Sequence, residues 1–540
     1  MKTIEGNIID INAQTCIKGR VYYTDTIYNI EYDISIQSEQ YIMPGLVDAH
    51  VHIESSMLTP LEYSKIALKH GVVAAVTDPH EIANVCGLEG IQYMVDNAKL
   101  SPMKINFGAP SCVPATSFES SGAVIGSSEI EQLLEKETCS HLSEMMNFPG
   151  VLFSDKEVLA KLNIAKKYNK RIDGHAPLLR GDDLKKYVDA GISTDHECTT
   201  IEEAKEKIQL GMKIMLRESS ASRDFQNLLP LLNENADKVI FCTDDCHPDD
   251  LEKGYINLLV KRALLAGYSI FDVLTAATKT AIDHYKLKVG LLRIKDPSDF
   301  IVVDNLNDFN ILKTIIDGVE VFNGESVIVI EENNDVINNF YQNDIVANDI
   351  RVRRTSDKLN VIQIIEDSLL TKKLQVETNT QKQLIESNIE SDILKIVVLN
   401  RYQKALPSVG FIKGFQLQKG AIAGTIAHDS HNIVAVGTND SDLLQAIRKV
   451  QDSQGGLVVV NGAETSLLAL PLAGLMSDKC CLEVALKYQE LSLIAQNLGC
   501  KLHAPFMTLA FMSLLVIPEL KIGDKGLFDV NLFDFIELQN

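Results

Sequence analysis

The chain has 540 residues, of which 46% are hydrophobic and 23% charged, a composition typical of a soluble protein with two or three domains. Its formal net charge of −22 repels phosphate backbones and anionic lipids, so we expect neither nucleic acid nor a membrane as a partner. The N-terminus has no apolar signal segment and the ten cysteines show no regular spacing, which predicts a cytoplasmic protein with reduced thiols.

The first predicted elements are short strands in residues 1–43, where Val, Tyr and Ile alternate with polar residues. This segment is too short to form a core of its own. Residues 288–340 return to the same strand pattern. We therefore predict that the two flanks pair in one small β domain.

Between these flanks, residues 44–287 alternate apolar runs with helical patterns eight or nine times. Such alternation predicts parallel strands with crossover helices, and eight repeats at this length indicate a TIM (β/α)8 barrel. A doubly wound sheet is the alternative, but a Gly-rich GxGxxG loop after the first strand is missing. The pattern predicts GVLFS (150–154) as one strand and SHLSEMM (140–146) as another.

The C-terminal part of the chain predicts a further domain. Residues 341–390 are polar without a strong period, which indicates a connector with one or two helices. Residues 391–540 predict an α/β domain with strands at IVVLNRY and GGLVVVNG. The uncharged stretch 504–518 is shorter than the roughly 20 residues needed to cross a bilayer, and it predicts a buried helix.

Polar residues follow the predicted strands at their C-terminal ends, where TIM barrels have their active sites. In PGLVDAHVHIESSM (44–57), His50 and His52 point to the same face of the first strand. Other strands end with Asp78, His80, Glu81, Glu144, His175, His196, Asp244 and Asp245. Each of these alone fits a helix cap or a structural histidine. Together they would repel one another or stay unpaired, and a divalent metal resolves this conflict.

Longer segments carry a family resemblance. VDAHVHIESSM, VTDPHEIANVCG, GHAPLLRGDDL, TDHECTTIEEA and FCTDDCHPDDL together resemble the bacterial adenine deaminases of the amidohydrolase superfamily. The resemblance extends to HDSHNIVAVGTND (428–440) and LPLAGLMSD (470–478), so it covers nearly the whole chain. It implies the hydrolytic deamination of adenine to hypoxanthine and ammonia in purine salvage, with adenine and water as the small-molecule partners.

The resemblance also implies two divalent metal ions, with Mn²⁺ expected first and Fe²⁺ or Zn²⁺ as alternatives. Carried over residue by residue, His50, His52 and Asp244 would hold one ion. His175 and His196 would hold the second. Many amidohydrolases bridge their ions with a carboxylated lysine, but no lysine stands at that strand end, so Glu144 would bridge both.

Catalytic and substrate roles follow from the same comparison. Asp244 would take a proton from the attacking hydroxide and pass it to ammonia. Glu81 or Asp78 would protonate the purine ring, or help His80 to hold a further metal. The expected substrate contacts are Arg217, Ser219, His428, Asp429 and His431. A surface salt bridge for Arg217 and a polar turn for HDSHN fit the sequence equally well.

Two alternatives to adenine deamination stay open. One is an amidohydrolase that acts on another cyclic amide or on an N-acetyl substrate. The other is a non-catalytic scaffold of the same fold, which the complete set of ligands disfavours. We expect a homo-oligomer, namely a dimer, although no motif in the sequence encodes it.

Overall fold

The computed structural model describes residues 1–220, 222–328, 335–365, 368–378 and 381–540. The chain divides into two compact units. Unit 1 comprises Met1–Pro79, Met94–Ser111 and Gly126–Asn333, and unit 2 comprises His80–Tyr93, Cys112–Ile125 and Asn334–Asn540. Two short stretches within the predicted barrel segment thus belong to unit 2. Residues 329–334 of the predicted β domain and residues 366–367 and 379–380 of the predicted connector lie outside the described residues.

Unit 1 begins with four strands. They are β1 (Lys2–Asp10), β2 (Thr15–Tyr23), β3 (Ile27–Tyr32) and β4 (Tyr41–Pro44). β1 and β2 pair antiparallel along their whole length, with Lys2 opposite Tyr23 and Asp10 opposite Thr15. Ile8 and Val21 point inward and are buried, as period-2 alternation requires for a sheet with one covered face.

Eight parallel strands follow in unit 1. They are β5 (Leu46–Val51), β6 (Val72–Thr77), β7 (Lys104–Ala109), β8 (His141–Met145), β9 (Ile172–Gly174), β10 (Thr194–Asp195), β11 (Lys213–Arg217) and β12 (Val239–Cys242). β5 to β9 form a five-stranded sheet and β10 to β12 a three-stranded sheet, each in chain order. The Asp244 amide donates to the His50 carbonyl (2.9 Å), so the chain after β12 pairs with β5. β5, β6 and β12 are buried along their length, as parallel strands covered on both faces are.

Helices connect these strands. They are α1 (Pro60–Lys69), α2 (His80–Ala98), α3 (Ser127–Glu135), α4 (Phe148–Leu152), α5 (Lys156–Lys167), α6 (Gly181–Asp189), α7 (Ile201–Gln209), α8 (Phe225–Leu228), α9 (Leu232–Asn235), α10 (Pro248–Lys253), α11 (Ile256–Leu265), α12 (Ile270–Leu274) and α13 (Thr280–Tyr285). Short 3₁₀ helices lie at Ile53–Ser56 and Leu229–Leu231, and a π-helix lies at Thr275–Lys279.

The strand predicted at GVLFS (150–154) is wrong, because α4 occupies most of this segment. The Asn147 side chain accepts a hydrogen bond from the Gly150 amide, and Pro149 lies in the first turn. Both features favour a helix start over the extended backbone that the apolar run suggested.

Three further strands return to the N-terminal sheet. They are β13 (Phe300–Val303), β14 (Ile311–Ile316) and β15 (Val319–Phe322). The sheet has the order β15-β14-β13-β4-β1-β2-β3. β13 pairs antiparallel with β4, and Phe300 lies opposite Pro44. The rings of Phe300 and Tyr23 pack edge to face, with their centroids 5.0 Å apart. Both flanks of the chain therefore share one core.

Unit 2 is rich in strands. They are β16 (Val352–Arg353), β17 (Lys358–Ile364), β18 (Thr371–Glu377), β19 (Leu384–Ile385), β20 (Ile393–Leu399), β21 (Ser408–Lys413), β22 (Ala421–Gly424), β23 (Ile433–Gly437), β24 (Gly456–Asn461), β25 (Glu464–Ala469), β26 (Leu520–Gly523), β27 (Gly526–Asp529) and β28 (Asp534–Phe535). Eight of them form a sheet of order β18-β17-β21-β20-β23-β22-β24-β25. Only β17 and β21 pair in parallel within it.

The described part of 341–390 therefore contains strands instead of the predicted helices. Alternate residues of β17, such as Leu359 and Val361, enter a small apolar cluster, whereas most of β18 is exposed or half-buried. A hairpin with one covered face needs few apolar residues, which is why the segment resembled a polar connector.

Three helices complete unit 2: α14 (Asp440–Asp452), α15 (Cys481–Asn497) and α16 (Pro505–Ala510). α14 packs on the sheet through Leu443, Ile447 and Val450. The stretch 504–518 contains α16 and a 3₁₀ helix at Phe511–Ser513, and most of its residues are buried. In the described part of the chain, no helix combines the length and the apolar character that crossing a membrane requires.

Candidate active site and metal centre

The six predicted metal ligands come together in unit 1. They are His50, His52, Glu144, His175, His196 and Asp244, and each lies in or just after one of the parallel strands. All are buried except His175, whose side chain is 22% exposed. Because parallel strands end at one edge of a sheet, residues far apart in sequence meet there.

Glu144 lies between two pairs of histidines. Its Oε1 atom is 3.3 Å from His52 Nε2 and 3.9 Å from His50 Nε2. Its Oε2 atom is 2.7 Å from His175 Nδ1 and 3.2 Å from His196 Nε2. Each carboxylate oxygen thus faces a different pair of imidazoles, which is the arrangement of a bridging carboxylate.

Asp244 faces the first pair. Its Oδ1 atom is 3.1 Å from His52 Nε2 and 3.5 Å from His50 Nε2. The backbone of Asp244 has a φ of 58°, in the left-handed region that costs a non-glycine residue free energy. Hydrogen bonds of its backbone to His50 and His52 hold it there and aim the carboxylate at the imidazoles.

The hydrogen bonds of the histidines suit a divalent metal ion. His50 Nε2 is buried and has no hydrogen-bond partner among the residues that the structure describes. His52 Nδ1 lies 3.0 Å from the Asp78 carbonyl oxygen, so it donates its proton there, and Nε2 would be the atom that binds a metal ion. Metal-binding histidines are typically oriented in this way. The donor set therefore fits a metal ion.

The electrostatics of the site agree with a cation. Burial alone opposes ionisation of Glu144 and Asp244, but the neighbouring imidazoles hold the pKa of both carboxyls well below the usual range. Burial likewise opposes the charge on His196, but Glu144, then Asp244 and Glu197, outweigh it and raise the pKa of His196 to about 9. Ionised carboxylates in a buried site need positive charge, which a divalent ion supplies.

Asp48 accepts hydrogen bonds from residues next to the predicted ligands. The Thr243 hydroxyl and the Tyr255 hydroxyl donate to its Oδ2 atom. The amides of His50 and Thr243 donate to its Oδ1 atom at 3.2 and 3.3 Å. Asp48 therefore joins the C-terminal ends of β5 and β12, where three of the ligands lie.

Arg217 is buried, which excludes the surface salt bridge considered from the sequence. Its Nη1 atom donates to Asp244 Oδ2 at 3.1 Å, and its Nη2 atom donates to Asp224 Oδ2 at 3.0 Å. Nη1 also donates to Glu197. Arg217 thus holds the carboxylate of a predicted metal ligand.

Sequence reasoning missed Glu197. Its Oε1 atom is 3.6 Å from His196 Nε2 and 3.8 Å from His175 Nδ1. Burial opposes its ionisation, but Arg217, then the two histidines, lower the pKa of Glu197. The only sequence signal was its position directly after His196 in TDHEC.

Other predicted residues of unit 1 lie near the same strand ends. Asp78 is buried, and its amide donates to the Val51 carbonyl at 3.2 Å. Asp245 accepts a hydrogen bond from the Ser55 hydroxyl at 2.6 Å. The Ser219 hydroxyl accepts from the Ser222 amide at 2.7 Å, within a tight turn after β11.

The remaining predicted residues form a second buried group in unit 2. Glu81 Oε1 is 2.8 Å from His428 Nδ1, and Glu81 Oε2 contacts His431 Nε2. His80 Nε2 is 3.5 Å from Glu81 Oε1. Asp429 is buried beside them. The structure thus brings the HDSHN segment to a residue that lies 350 positions earlier in the chain.

Parallel strands with histidine and carboxylate side chains at their C-terminal ends fit the class of amidohydrolases. The amidohydrolase family model matches residues 41–321, and the adenine deaminase C-terminal domain matches residues 368–534. Adenine deaminase of Methanosarcina mazei is 49% identical over 100% of this chain and 99% of that protein. Adenine deaminases of Sulfurovum sp. and Borreliella burgdorferi are 48% and 44% identical, each over 99% of both chains. The chain belongs to the adenine deaminase family.

Among solved structures, β-aspartyl dipeptidase of Fervidobacterium islandicum AW-1 aligns with a TM-score of 0.45 and 14% identity, over 62% of this chain and 100% of that chain.

Proposed function

We propose that this chain catalyses the hydrolytic deamination of adenine to hypoxanthine and ammonia, a step of purine salvage. The observation that carries the proposal is Glu144, which presents one carboxylate oxygen to each of two histidine pairs. Relatives that match the full length of the chain bear the name adenine deaminase, which supports the choice of substrate.

We infer two divalent ions per chain. His50, His52 and Asp244 would hold one, His175 and His196 would hold the other, and Glu144 lies between the two groups. A divalent ion lowers the pKa of bound water from about 15.7 toward 7 and so supplies hydroxide at neutral pH. Imidazole and carboxylate ligands suit Mn²⁺, which we expect first, as well as Fe²⁺ and Zn²⁺.

Asp244 is the proposed proton carrier. It accepts the proton of the oxygen that attacks C6 of adenine and delivers that proton to the leaving amino group. Adenine and water thereby become hypoxanthine and ammonia, with no other reactant. Arg217 holds Asp244 Oδ2 during this transfer. Glu81 or Asp78 handles the proton of the purine ring.

The proposed substrate contacts, the closed barrel, the oligomeric state and the location rest on the sequence. Arg217, Ser219, His428, Asp429 and His431 are proposed contacts of the substrate or of its surroundings. The parallel strands β5 to β12 are proposed to close into a TIM (β/α)8 barrel. A homodimer that acts in the cytoplasm, with neither nucleic acid nor membrane as a partner, stays a prediction.

The test is turnover by metal-replete protein. The chain is expressed with added Mn²⁺ and incubated with adenine, and ammonia and hypoxanthine are measured in parallel. We expect the two products in equal amounts, and no turnover with Mn²⁺, Fe²⁺ or Zn²⁺ would reject the proposal. A panel of cyclic ureides and N-acetyl sugars distinguishes the alternative amidohydrolase activities, for which we expect no turnover.

A further inference from the structure

Two buried tyrosines of unit 1 form hydrogen bonds next to the predicted metal ligands. Tyr255 stands at the N-terminus of α11, and Tyr187 lies in α6. Both side chains are buried. Neither tyrosine follows a strand, but the hydroxyl group of each reaches the strand ends from a helix. The two hydroxyl groups serve different strand ends.

Tyr255 acts through Asp48. Its hydroxyl group donates to Asp48 Oδ2. Because this bond uses the only proton of that hydroxyl group, Tyr63 is the donor in the hydrogen bond between Tyr63 and Tyr255. The order of donation therefore runs from Tyr63 of α1 through Tyr255 to Asp48.

Four donors surround the buried Asp48 carboxylate. The hydroxyl groups of Tyr255 and Thr243 donate to Oδ2. The amides of His50 and Thr243 donate to Oδ1 at 3.2 and 3.3 Å. A carboxylate has about four lone-pair sites, so a rotation of this side chain breaks at least one hydrogen bond. Removal of the Tyr255 hydroxyl group would leave one site unpaired.

The Asp48 carboxylate fastens the backbone that carries the ligands of the first ion. The Asp244 amide donates to the His50 carbonyl at 2.9 Å, and the His52 amide donates to the Asp244 carbonyl at 3.2 Å. The end of β5 is thus joined to the chain after β12. His50, His52 and Asp244 share this one junction, so a shift of Asp48 moves the ligands of the first ion.

Tyr187 fastens a different pair of strand ends. Its hydroxyl group accepts a hydrogen bond from the His175 amide at 3.0 Å and donates to the Met145 carbonyl at 2.8 Å. Met145 ends β8 directly after Glu144, and His175 directly follows β9. One hydroxyl group therefore joins the ends of β8 and β9, where a ligand of the second ion lies.

Gly174 permits the close approach of Tyr187. A Cβ atom at this position would lie 2.4 Å from the Thr194 carbonyl oxygen and 3.1 Å from the Tyr187 hydroxyl oxygen. A residue with a side chain would therefore push apart the strand ends on which His175 and His196 depend. The absence of a side chain before His175 thus keeps the hydroxyl group within hydrogen-bond distance.

We propose that Tyr255 and Tyr187 are positioning residues, each for one of the two divalent ions. Tyr255, through Asp48, orients the ligands His50 and Asp244, and Tyr187 orients His175. The two sets of hydrogen bonds have no residue in common. This inference rests on the two-ion site of the proposed function. Loss of a hydrogen-bond partner behind a metal ligand typically weakens metal binding about 10–100-fold, so each Tyr→Phe substitution should weaken one ion and spare the other.

Anomalous diffraction measures the two ions separately. Crystals of wild type, Tyr255→Phe and Tyr187→Phe are equilibrated with limiting Mn²⁺, and the occupancy of each site is measured at the Mn absorption edge. Tyr255→Phe should lose the ion beside His50 and Asp244, and Tyr187→Phe should lose the ion beside His175. Tyr23→Phe removes a buried tyrosine hydroxyl from the N-terminal sheet and should match wild type at both sites.

Calorimetric titration of metal-free protein with Mn²⁺ gives the size of each effect in solution. Each variant should keep one dissociation constant of wild type and raise the other about 10–100-fold. Tyr63→Phe should raise the same constant as Tyr255→Phe, but by less, because Asp48 keeps all four donors. It also provides the test of the first site if Tyr255→Phe does not fold.

Four results would overturn the inference. Equal weakening of both sites by either substitution would indicate general destabilisation. Unchanged occupancies and dissociation constants would show that the hydroxyl groups do not position the ligands. Loss of the opposite ion would reject the assignment, and so would a single occupied site in wild type at saturating Mn²⁺. Failure of the proposed function is distinct, because wild type would then release no ammonia from adenine, whereas the occupancies would still decide this inference.

Discussion

At the scale of single residues, Asp244 combines two environments. Its Oδ1 atom lies 3.5 Å from His50 Nε2 and 3.1 Å from His52 Nε2, close enough for the three atoms to bind one metal ion. Its Oδ2 atom accepts a hydrogen bond from Arg217. The neighbouring Asp245 also lies within 4.8 Å of the ligand atoms of His52 and Asp244, and it accepts a hydrogen bond from Ser55. The sequence placed both residues at the same strand end, and the family resemblance assigned the proton transfer to Asp244. The contacts now give a physical reason for assigning the proton transfer to Asp244.

Asp244→Asn should abolish most of the activity. The amide keeps the size of the side chain but has no negative charge to bind a metal ion or to accept a proton. We expect kcat to fall about 10²–10⁴-fold, with weaker metal binding, as measured by ammonia release and elemental analysis. Asp245→Asn is the matched control and should keep most of the activity. Turnover by Asp244→Asn within tenfold of wild type would contradict the role.

Glu119 provides a test of buried charge in unit 2. Burial, and then the nearby Asp429, raise the pKa of Glu119 to about 8. In the unfolded chain this carboxyl has its ordinary pKa of about 4.3, so the folded state binds the extra proton between these values. The contribution of Glu119 to stability is therefore greatest at low pH and is lost as pH rises through about 8.

Glu119→Gln should remove this loss, because an amide does not ionise. We expect the difference in Tm between the variant and wild type to be more positive at pH 9 than at pH 5.5, as measured by thermal denaturation. Glu464→Gln, at an exposed position of unit 2, is the control and should show no such difference. A Tm difference that is equal at both pH values would reject the ionisation of Glu119.

At the scale of elements, α7 supports the strand that carries His196. Lys207 of α7 donates to the Ala176 carbonyl at 2.8 Å and to Glu203 Oε1 at 2.7 Å. It also donates to Asp195 of β10, directly before His196. All three charged side chains are buried. This cluster fixes β10, a strand of two residues, against its helix.

Lys207→Met should destabilise the protein strongly. It would leave Asp195 and Glu203 as buried carboxylates without their cation, which costs about 3–5 kcal/mol. Urea denaturation measures the loss. Lys205→Met, an exposed position on the same helix, should change the free energy of unfolding by less than about 0.5 kcal/mol. Equal effects of the two substitutions would show that the buried cluster contributes little.

At the scale of the whole molecule, unit 1 brings the six predicted ligands from five strands together. Three buried imidazoles, two buried carboxylates and the half-buried His175 gain most from a cation. A ligand that binds only the folded chain stabilises it by mass action. Metal should therefore control stability as well as activity.

Removal of metal by a chelator should abolish turnover and lower Tm. At a metal concentration 100 times the dissociation constant, the lost stabilisation is about 2.7 kcal/mol per site. Titration with Mn²⁺ should restore activity at two equivalents per chain, and the accompanying rise in Tm should stop at the same ratio. Recovery that is complete at one equivalent would contradict the two-ion proposal.

The amino-acid sequence by itself indicated which residues are candidates for the chemistry. Residues at i and i+2 of a strand share a face, and parallel strands end at one edge, so His50, His52 and the later strand-end residues could be assigned from pattern alone. The resemblance to adenine deaminases then supplied the role of Glu144. The error at GVLFS was local, because an apolar run of five residues fits either a strand or a helix.

Only the tertiary structure decided how these residues pair. The hydrogen bonds of Arg217 to Asp244 and to Glu197 and the contact of Glu81 with His431 join positions 20 to 350 residues apart. Such contacts depend on the path of the whole chain, so no repeating pattern in the sequence predicts them.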